Sequence, residues 1–406
     1  MKKAALHNLG CKVNAYETEA MQQILENAGY EIVPFTEIAD VYVINTCSVT
    51  NMADRKSRQM FHRAKKMNPD AIVVGAGCYV QTKEAQALVD ESIDIVIGNN
   101  QKHELVTLLN EYEKEHTKQA QIVDINHEKQ EYEELHLKKT AEHTRAFIKV
   151  QDGCNQFCSY CIIPFARGRV RSRKMEDVLN EINELAKSGY KEVVLTGIHL
   201  SSYGVDTGET LLSLIEHVHE IEGIERIRLG SLEPRIVTED FAKRLSELTK
   251  ICPHFHLSLQ SGCDSVLKRM NRRYDTAEYE AGCDLLRKYF THPAITTDVI
   301  VGFPGETEED FEETLDVVRK VRYDSVYSFI YSKRTGTPAA RMENQVPEDV
   351  VKERFARLLD VIHEISTEIT DAKEGEIVEA LMEEVNDHDE NLITGRLSSN
   401  AVVHCL

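Results

Sequence analysis

Residues 146–161 read Ala-Phe-Ile-Lys-Val-Gln-Asp-Gly-Cys-Asn-Gln-Phe-Cys-Ser-Tyr-Cys. The apolar run 146–150 reads as a strand, and it leads directly into Cys154, Cys158 and Cys161, spaced C-x3-C-x2-C, with Gly153 freeing the loop backbone. Thiolates are the usual ligands of a [4Fe–4S] cluster, and three of them leave the fourth iron open to another ligand. A structural zinc site is the alternative, but it wants four ligands in Cys pairs, and no matching second pair follows. Three buried, inert cysteines are a further alternative, behind zinc.

Beyond this loop the chain alternates regularly. Strands are predicted at 193–196, 227–229, 256–259, 297–301 and 326–330, with helices at 175–187, 211–221, 239–248, 277–289 and 308–321. Six strand-plus-crossover units, rather than eight, predict an open, partial (β/α)6 barrel. Its working face lies at the C-terminal ends of the strands.

Before the loop, strands at 3–6, 41–44, 71–75 and 95–98 with helices at 17–28 and 53–67 predict a parallel sheet flanked by helices, giving an α/β chain overall. Cys11 follows the first of these strands, Cys47 the second and Cys78 the third. Strand ends of a parallel sheet lie along one edge, so three cysteines remote in sequence can converge there. The bland alternative is three separate core cysteines, since free cysteine packs as a small hydrophobe. Cys252, Cys263, Cys283 and Cys405 show no ligand spacing and read as structural.

Between 110 and 144 the sequence is rich in Glu, Lys, His and Gln, as a linker would be. After Pro347 an amphipathic helix runs to about 373, followed by strands at 377–385 and 392–397 joined by the polar turn 386–391. The expected organisation is therefore 1–110, a parallel-sheet domain; 111–143, a linker; 144–346, the partial barrel; 347–373, a connecting helix; and 374–406, a short β-module.

With 406 residues, 42% of them hydrophobic, the chain can build several cores. Met1-Lys2-Lys3 is followed by no apolar signal region, and no apolar run is long enough to span a bilayer, so a cytoplasmic protein with no membrane partner is expected. Ten cysteines in a reducing compartment point to metal or redox chemistry rather than disulfides. A net charge of -20 excludes a generic nucleic-acid binder, so RNA contact must come from local basic patches. Two candidates stand out. Arg167, Arg169, Arg171 and Arg173 alternate, which on an extended segment sets all four on one face, fit to clamp phosphates. Arg55, Arg58, His62 and Lys65 line one face of the second helix, where a charge stripe is usually only a solvated surface.

The Cys154–Cys161 loop, with an aromatic residue before its last cysteine, resembles the signature of the radical S-adenosylmethionine superfamily. Together with Leu9-Gly-Cys-Lys-Val-Asn14, Ile44-Asn-Thr-Cys-Ser-Val-Thr50 and Gly77-Cys-Tyr-Val80, it resembles the methylthiotransferases over nearly the whole chain. The resemblance implies an N-terminal cluster domain, a radical domain and a C-terminal TRAM domain, here short and incomplete. It implies two [4Fe–4S] clusters, one on Cys154, Cys158 and Cys161 and a second on Cys11, Cys47 and Cys78. It further implies two uses of S-adenosylmethionine: one molecule methylates sulfur at the second cluster, and another yields the deoxyadenosyl radical. A reductant such as flavodoxin or ferredoxin is implied as electron donor.

Thr196 and Gly197, Ser258 and Gln260, and Asp298 fall where the superfamily meets its cofactor, though each also reads as a cap or turn residue. The β-module resembles the start of a TRAM domain but is acidic, with Glu379, Glu383, Glu384, Asp387, Asp389 and Glu390. Leu9 to Glu19, Lys56-Ser-Arg-Gln59 and Ser231-Leu-Glu-Pro234 look most like the branch acting on N6-threonylcarbamoyladenosine at position 37, in the anticodon loop of ANN-decoding transfer RNA. The alternatives are the branch acting on isopentenyladenosine-37, the branch modifying a ribosomal-protein aspartate, and a non-enzymatic cluster-containing RNA-binding protein.

Overall fold

The computed structural model describes residues 1–138, 144–386 and 388–406. Its N-terminal strands are β1 (Lys3–Asn8), β2 (Glu31–Ile32), β3 (Val41–Thr46), β4 (Ile72–Gly77), β5 (Ile95–Ile97) and β6 (Gln119–Gln121). They form one parallel sheet in the order β2-β1-β3-β4-β5-β6. Every residue of β3 is buried, because helices cover both faces of a parallel sheet. Those helices are α1 (Lys12–Asn27), α2 (Asn51–Met67), α3 (Cys78–Thr82), α4 (Glu84–Val89) and α5 (Leu105–Glu115).

The second unit contains β7 (Arg145–Asp152), β8 (Arg171–Ser172), β9 (Glu192–Gly197), β10 (Arg226–Leu229), β11 (His254–His256), β12 (Ala294–Val301) and β13 (Ser325–Ile330). The parallel ladder runs β7-β9-β10, continues through bridges at Ile227–Ile251 and Leu232–Leu257, and ends β11-β12-β13; β8 is an antiparallel edge strand on β7. The result is a curled half-barrel of six parallel strands, as the strand count predicts.

Its helices are α6 (Ile163–Arg167), α7 (Met175–Lys187), α8 (Leu211–His219), α9 (Glu239–Ser246), α10 (Asp264–Arg269), α11 (Thr276–Tyr289) and α12 (Glu308–Val321), followed by the long α13 (Glu348–Asp371). Period-two alternation divides the strands. Ile148, Val150, Val193, Leu195, Ile227 and Leu229 pack outward in the main core, whereas the alternate positions, such as Lys149, Gln151, Thr196 and Arg228, face inward.

The C-terminal module is an antiparallel meander of β14 (Ala380–Val385), β15 (Ile393–Leu397) and β16 (Val402–Cys405). It docks on the barrel. Arg228 donates to the carbonyls of Leu397 (3.1 Å) and Ser398 (2.8 Å), and Arg226 to that of Arg396 (2.9 Å). The acidic residues expected on its surface partly serve this docking: Glu379 pairs with Arg226, and Glu383 with Arg396 and Arg145. Asp387 lies outside the described residues.

Three expectations differ in detail. The first helix begins at Lys12 rather than 17, because Cys11 in extended conformation already serves as its N-cap. The segment expected as a bare linker carries the end of α5 and all of β6, whose polar Gln-Ala-Gln is held by backbone pairing; Leu135 and Leu137 pack beside Tyr16 and Ala20 of α1. Its last part, 139–143, lies outside the described residues. The strand β16 was also unforeseen. Among the described residues no helix is long and apolar enough to cross a membrane.

Candidate functional site

The N-terminal triad is built by the sheet. Cys11 follows β1, Cys47 follows β3 and Cys78 opens α3 directly after β4, and these three strands are neighbours. Gly77 brings Cys78 in at φ +91, where a Cβ would stand 2.5 Å from Asn45 Oδ1, so only glycine fits. The thiols feel one another. Burial first, then repulsion from Cys78 and Cys11, pushes Cys47 up to about 11. Burial also raises Cys11. Asn99 donates to Cys78 Sγ at 3.5 Å, and Cys11 Sγ donates to Asn14 Oδ1 at 3.4 Å.

The second triad sits on the loop after β7. Gly153 (φ +73) is packed so closely on the carbonyl of Arg169 that a side chain would overlap it. Phe157, at φ +51, holds a left-handed conformation with Asn271 donating to its carbonyl at 2.9 Å. Backbone N–H groups of Gln156 and Ile163 donate to Cys154 Sγ (3.5 Å) and Cys161 Sγ (3.4 Å). Burial and then the charge of Cys158 push Cys161 up to about 12; burial, with Cys158 adding to it, takes Cys154 to about 11. Arg272 Nη1 lies 3.3 Å from Cys158 Sγ and its guanidinium stacks on Tyr274.

Both triads therefore bring cysteine sulfurs near one another, the donor set that iron of an iron–sulfur cluster takes up as thiolates. Among the described residues no three Cys, His, Asp or Glu side chains converge tightly enough for a single ion. Cluster ligands stand further apart, since each binds a different corner of the cube.

A buried ionic set couples the two triads. Glu17 of α1 accepts from Arg167 (2.7 and 3.0 Å) and Lys149 (2.7 Å), and Lys102 stands 3.2 Å away. Arg167 also reaches Asp152 (3.1 Å) and Asn14 (3.1 Å), and Lys149 pairs with Asp152 at 2.6 Å. Asn99 bridges in parallel, donating to the carbonyl of Ala166 at 2.8 Å. From the far end of the barrel, Arg334 donates to the carbonyl and hydroxyl of Ser48 (both 2.8 Å) and pairs with Asp54, fixing the turn that carries Cys47.

This arrangement corrects the reading of the arginine run. Arg167 ends α6, and Gly168 (φ +70) turns the chain, so the alternation never lies on one extended face. Arg167, Arg171 and Arg173 are buried: Arg171 donates to the carbonyls of Arg167 and Arg169, and Arg173 pairs with Glu181. Only Arg169 remains exposed, stacked on Phe157 at 4.6 Å. On α2, Arg55 is exposed and Arg58 lies over Tyr79, while Lys65 is bound to Asp94.

Along β7 the inward face of the half-barrel is covered by α1, through Lys149 with Glu17 and Phe147 against the Tyr16 cluster, and at β10 by the docked C-terminal sheet. Thr196 and Gly197 end β9; Gln151 accepts the His199 N–H at 2.8 Å beside them. Gln260, at φ +74, accepts from Tyr160 at 2.9 Å, which ties it to the second triad's loop, and its N–H donates to the carbonyl of Asp298. Asp298 pairs with His256 at 3.0 Å, and Ser258 is half-buried between these groups in sequence.

Sequence reasoning missed Asn14, Glu17, Asn99, Lys102, Lys149, Arg272 and Arg334. For two of them a signal existed: Asn14 stands three residues after Cys11, and Glu17 three after Asn14, the spacing of helix neighbours.

Residues 148–318 match a family profile described as the Radical SAM superfamily, and residues 3–98 one described as Uncharacterized protein family UPF0004. The chain is 43% identical to a threonylcarbamoyladenosine tRNA methylthiotransferase of Bacillus subtilis (strain 168), over 97% of this chain and 88% of that one. It is 42% identical to a tRNA-2-methylthio-N(6)-dimethylallyladenosine synthase of Lachnoclostridium phytofermentans, over 98% and 88%. The fold also resembles a radical S-adenosylmethionine methyltransferase from Kitasatospora setae, at TM-score 0.61 and 17% identity, over 83% of this chain and 77% of that one. With two thiol triads in place and such identity along almost its full length, the chain belongs to the methylthiotransferase family of radical S-adenosylmethionine enzymes, which transfer a methylthio group using S-adenosylmethionine and [4Fe–4S] clusters.

Proposed function

We propose that this enzyme converts N6-threonylcarbamoyladenosine at position 37 of transfer RNA into its 2-methylthio derivative. The observation that carries the reading is the cationic surroundings of the residue after Cys11: the charges of Arg145, Arg228 and Arg396 act on Lys12, and those of Arg228 and Lys12 on His254. A threonylcarbamoyl group is polar and anionic and suits such surroundings; a dimethylallyl group is apolar and does not. The Bacillus subtilis relative agrees with the first substrate. The second reading, dimethylallyladenosine, stands on the Lachnoclostridium relative, because overall identity does not separate the two.

In this reading Cys154, Cys158 and Cys161 hold one cluster, and Cys11, Cys47 and Cys78 the other. When bound, the two clusters and S-adenosylmethionine supply a carbon-activating radical and a transferable sulfur, chemistry that side chains lack. The protein's own part is placement. Thr196, Gly197, Ser258, Gln260 and Asp298 form the cofactor wall, and the Tyr160–Gln260 hydrogen bond fixes that wall to the loop of the second triad. Arg272 offsets thiolate charge at Cys158. The Glu17 ionic set and Asn99 hold the triads at one separation. Arg169, Arg55 and Arg58 are left to meet RNA phosphates, and a one-electron donor such as flavodoxin or ferredoxin supplies the reducing equivalents, in the cytoplasm.

The test is mass spectrometry of transfer-RNA nucleosides from cells with and without the gene. Loss of 2-methylthio-N6-threonylcarbamoyladenosine with a rise in its parent is the expected result. Loss of the dimethylallyl product instead selects the second reading. No change in any methylthio nucleoside moves the reading to the ribosomal-protein branch.

A further inference from the structure

We infer that Tyr327 and Phe329, on the free edge of the half-barrel, form a stacking platform for one unpaired base of the transfer-RNA loop, with the phosphate backbone continuing past Lys333 to Arg55 and Lys56 of α2. This rests on transfer RNA as the substrate, as proposed above, and not on which nucleoside is modified.

β13 is the last strand of the half-barrel and, among the described residues, pairs only with β12. Its two faces differ. Val326 joins the main core, to which α13 contributes Leu358 and Ile365. The alternate residues, Tyr327 and Phe329, stand on the inward face, in register with Asp298 and Ile300. Tyr327 lies against the His256 ring at a centroid distance of 5.6 Å, and His256 in turn pairs with Asp298 at 3.0 Å. Both aromatic residues are nonetheless half-exposed, Tyr327 at 48% and Phe329 at 50%. A lone exposed apolar residue is ordinary, but two rings side by side on an unpaired edge, next to the cofactor wall, mark a surface that something covers. Edge strands are usually blunted by a charge or a proline, and β13 carries neither.

The neighbouring charges say what covers it. The chain runs on from β13 to Lys333, whose carbonyl accepts from Asn51 at the start of α2 at 2.8 Å. Arg55 stands one turn further along that helix, with Lys56 beside it. All three cations are exposed, and among the described residues none of them has an ion pair, in a chain whose net charge is -20. Free cations in series with exposed aromatic rings are the two components that hold single-stranded nucleic acid: lysine and arginine follow the phosphates while bases stack on the rings. Unstacked loop bases are also what RNA recognition targets. An enzyme that works on a base takes it out of the stack, and rings beside the reaction site return part of that cost.

The test measures binding by the holoenzyme of an anticodon stem–loop RNA, a blunt RNA duplex of equal length and charge, and a set of stem–loops each lacking one loop base. Wild-type protein is expected to prefer the stem–loop to the duplex, and to bind one of the abasic stem–loops about tenfold more weakly, the worth of one stacked base. Replacing both rings, Tyr327→Leu with Phe329→Leu, keeps apolar bulk and removes the stacking faces. That protein is expected to lose about tenfold on the intact stem–loop, nothing on the duplex, and nothing further on the same abasic RNA. Tyr327→Phe is expected to bind as the wild type does. Equal wild-type affinity across the abasic set overturns the inference without recourse to any variant. A leucine variant with unaltered melting midpoint and iron content that binds the stem–loop normally overturns it too, as does an equal loss on stem–loop and duplex. A leucine variant altered only in its oligomeric state assigns the edge to a second copy of the chain, against the inference. The two levels remain separable: a wild-type protein with no preference for the stem–loop removes the transfer-RNA reading itself.

Discussion

The guanidinium of Arg167 holds the carboxylate of Glu17 through two hydrogen bonds of 2.7 and 3.0 Å. One residue lies on the helix after the second thiol triad, the other on the helix that Cys11 caps, so this pair links the two halves of the chemistry. Lys149 and Lys102 also reach Glu17. Replacing Glu17 by Gln leaves three buried cations sharing mainly Asp152. The expected destabilisation is about 3–5 kcal/mol, measured by denaturant unfolding, with partial recovery on adding Lys102→Met, which removes one stranded charge.

The same set fixes a pH dependence. Burial alone raises the Glu17 carboxyl, but Arg167, Lys102 and Lys149 overcome it and hold the group well below the usual carboxylate range. Asp152 behaves alike, with burial overcome by Lys149, Arg167 and Arg171. Both pKa values are depressed on folding, so the unfolded chain takes up protons first as pH falls. Their stabilisation is complete at neutral pH and declines below about pH 4.5. Unfolding midpoints between pH 7 and pH 3 should fall more steeply for the wild type than for Glu17→Gln; equal slopes would remove Glu17 from the account.

The two triads are expected to fail differently. Cys158→Ala should abolish release of 5′-deoxyadenosine, whereas Cys47→Ala should keep that release and stop methylthio insertion. Chromatography of the nucleoside products reads both. Deoxyadenosine from the first protein, or methylthio product from the second, reverses the assignment.

Arg272 places a positive charge 3.3 Å from Cys158 Sγ. A cation favours the reduced, more negative state of a neighbouring cluster. Arg272→Met is therefore expected to lower the potential of that cluster by on the order of tens of mV, read by spectroscopic redox titration. A shift in the positive direction would show that lost packing, not charge, dominates there.

Of Arg167, Arg169, Arg171 and Arg173, only Arg169 is exposed. Arg169→Ala should weaken transfer-RNA binding and reduce the magnitude of its logarithmic salt slope by about one. Arg173→Ala should instead lower the thermal midpoint, since it strands Glu181 beneath the 132–137 segment. Binding measured at several salt concentrations, with melting curves alongside, distinguishes the two behaviours.

The half-barrel, the parallel sheet and both cysteine sets were legible because each depends on local spacing: period-two strands, helical crossovers, and cysteines falling directly after strands. What was not legible depends on partners far away in sequence. Arg167 and Arg173 look like phosphate clamps until Glu17 and Glu181 are known to lie against them, and Glu17 is 150 residues distant from Arg167. Gly168 alone hinted that the alternation would break. The strand β6 escaped for another reason, since Gln119-Ala120-Gln121 has no apolar face and is held only by its backbone. Arg272 and Arg334 stand in loops, where neither periodicity nor spacing marks a residue.

The meander of β14 to β16 presents carbonyl oxygens to Arg226 and Arg228, with the Glu379 carboxylate at its edge pairing with Arg226, and Arg228 is buried to within 1% of its surface. It thus serves as the keel of the catalytic domain rather than an appendage. A change in the outer strands therefore bears directly on Arg228 and, through its two hydrogen bonds, on Glu192 at the start of β9.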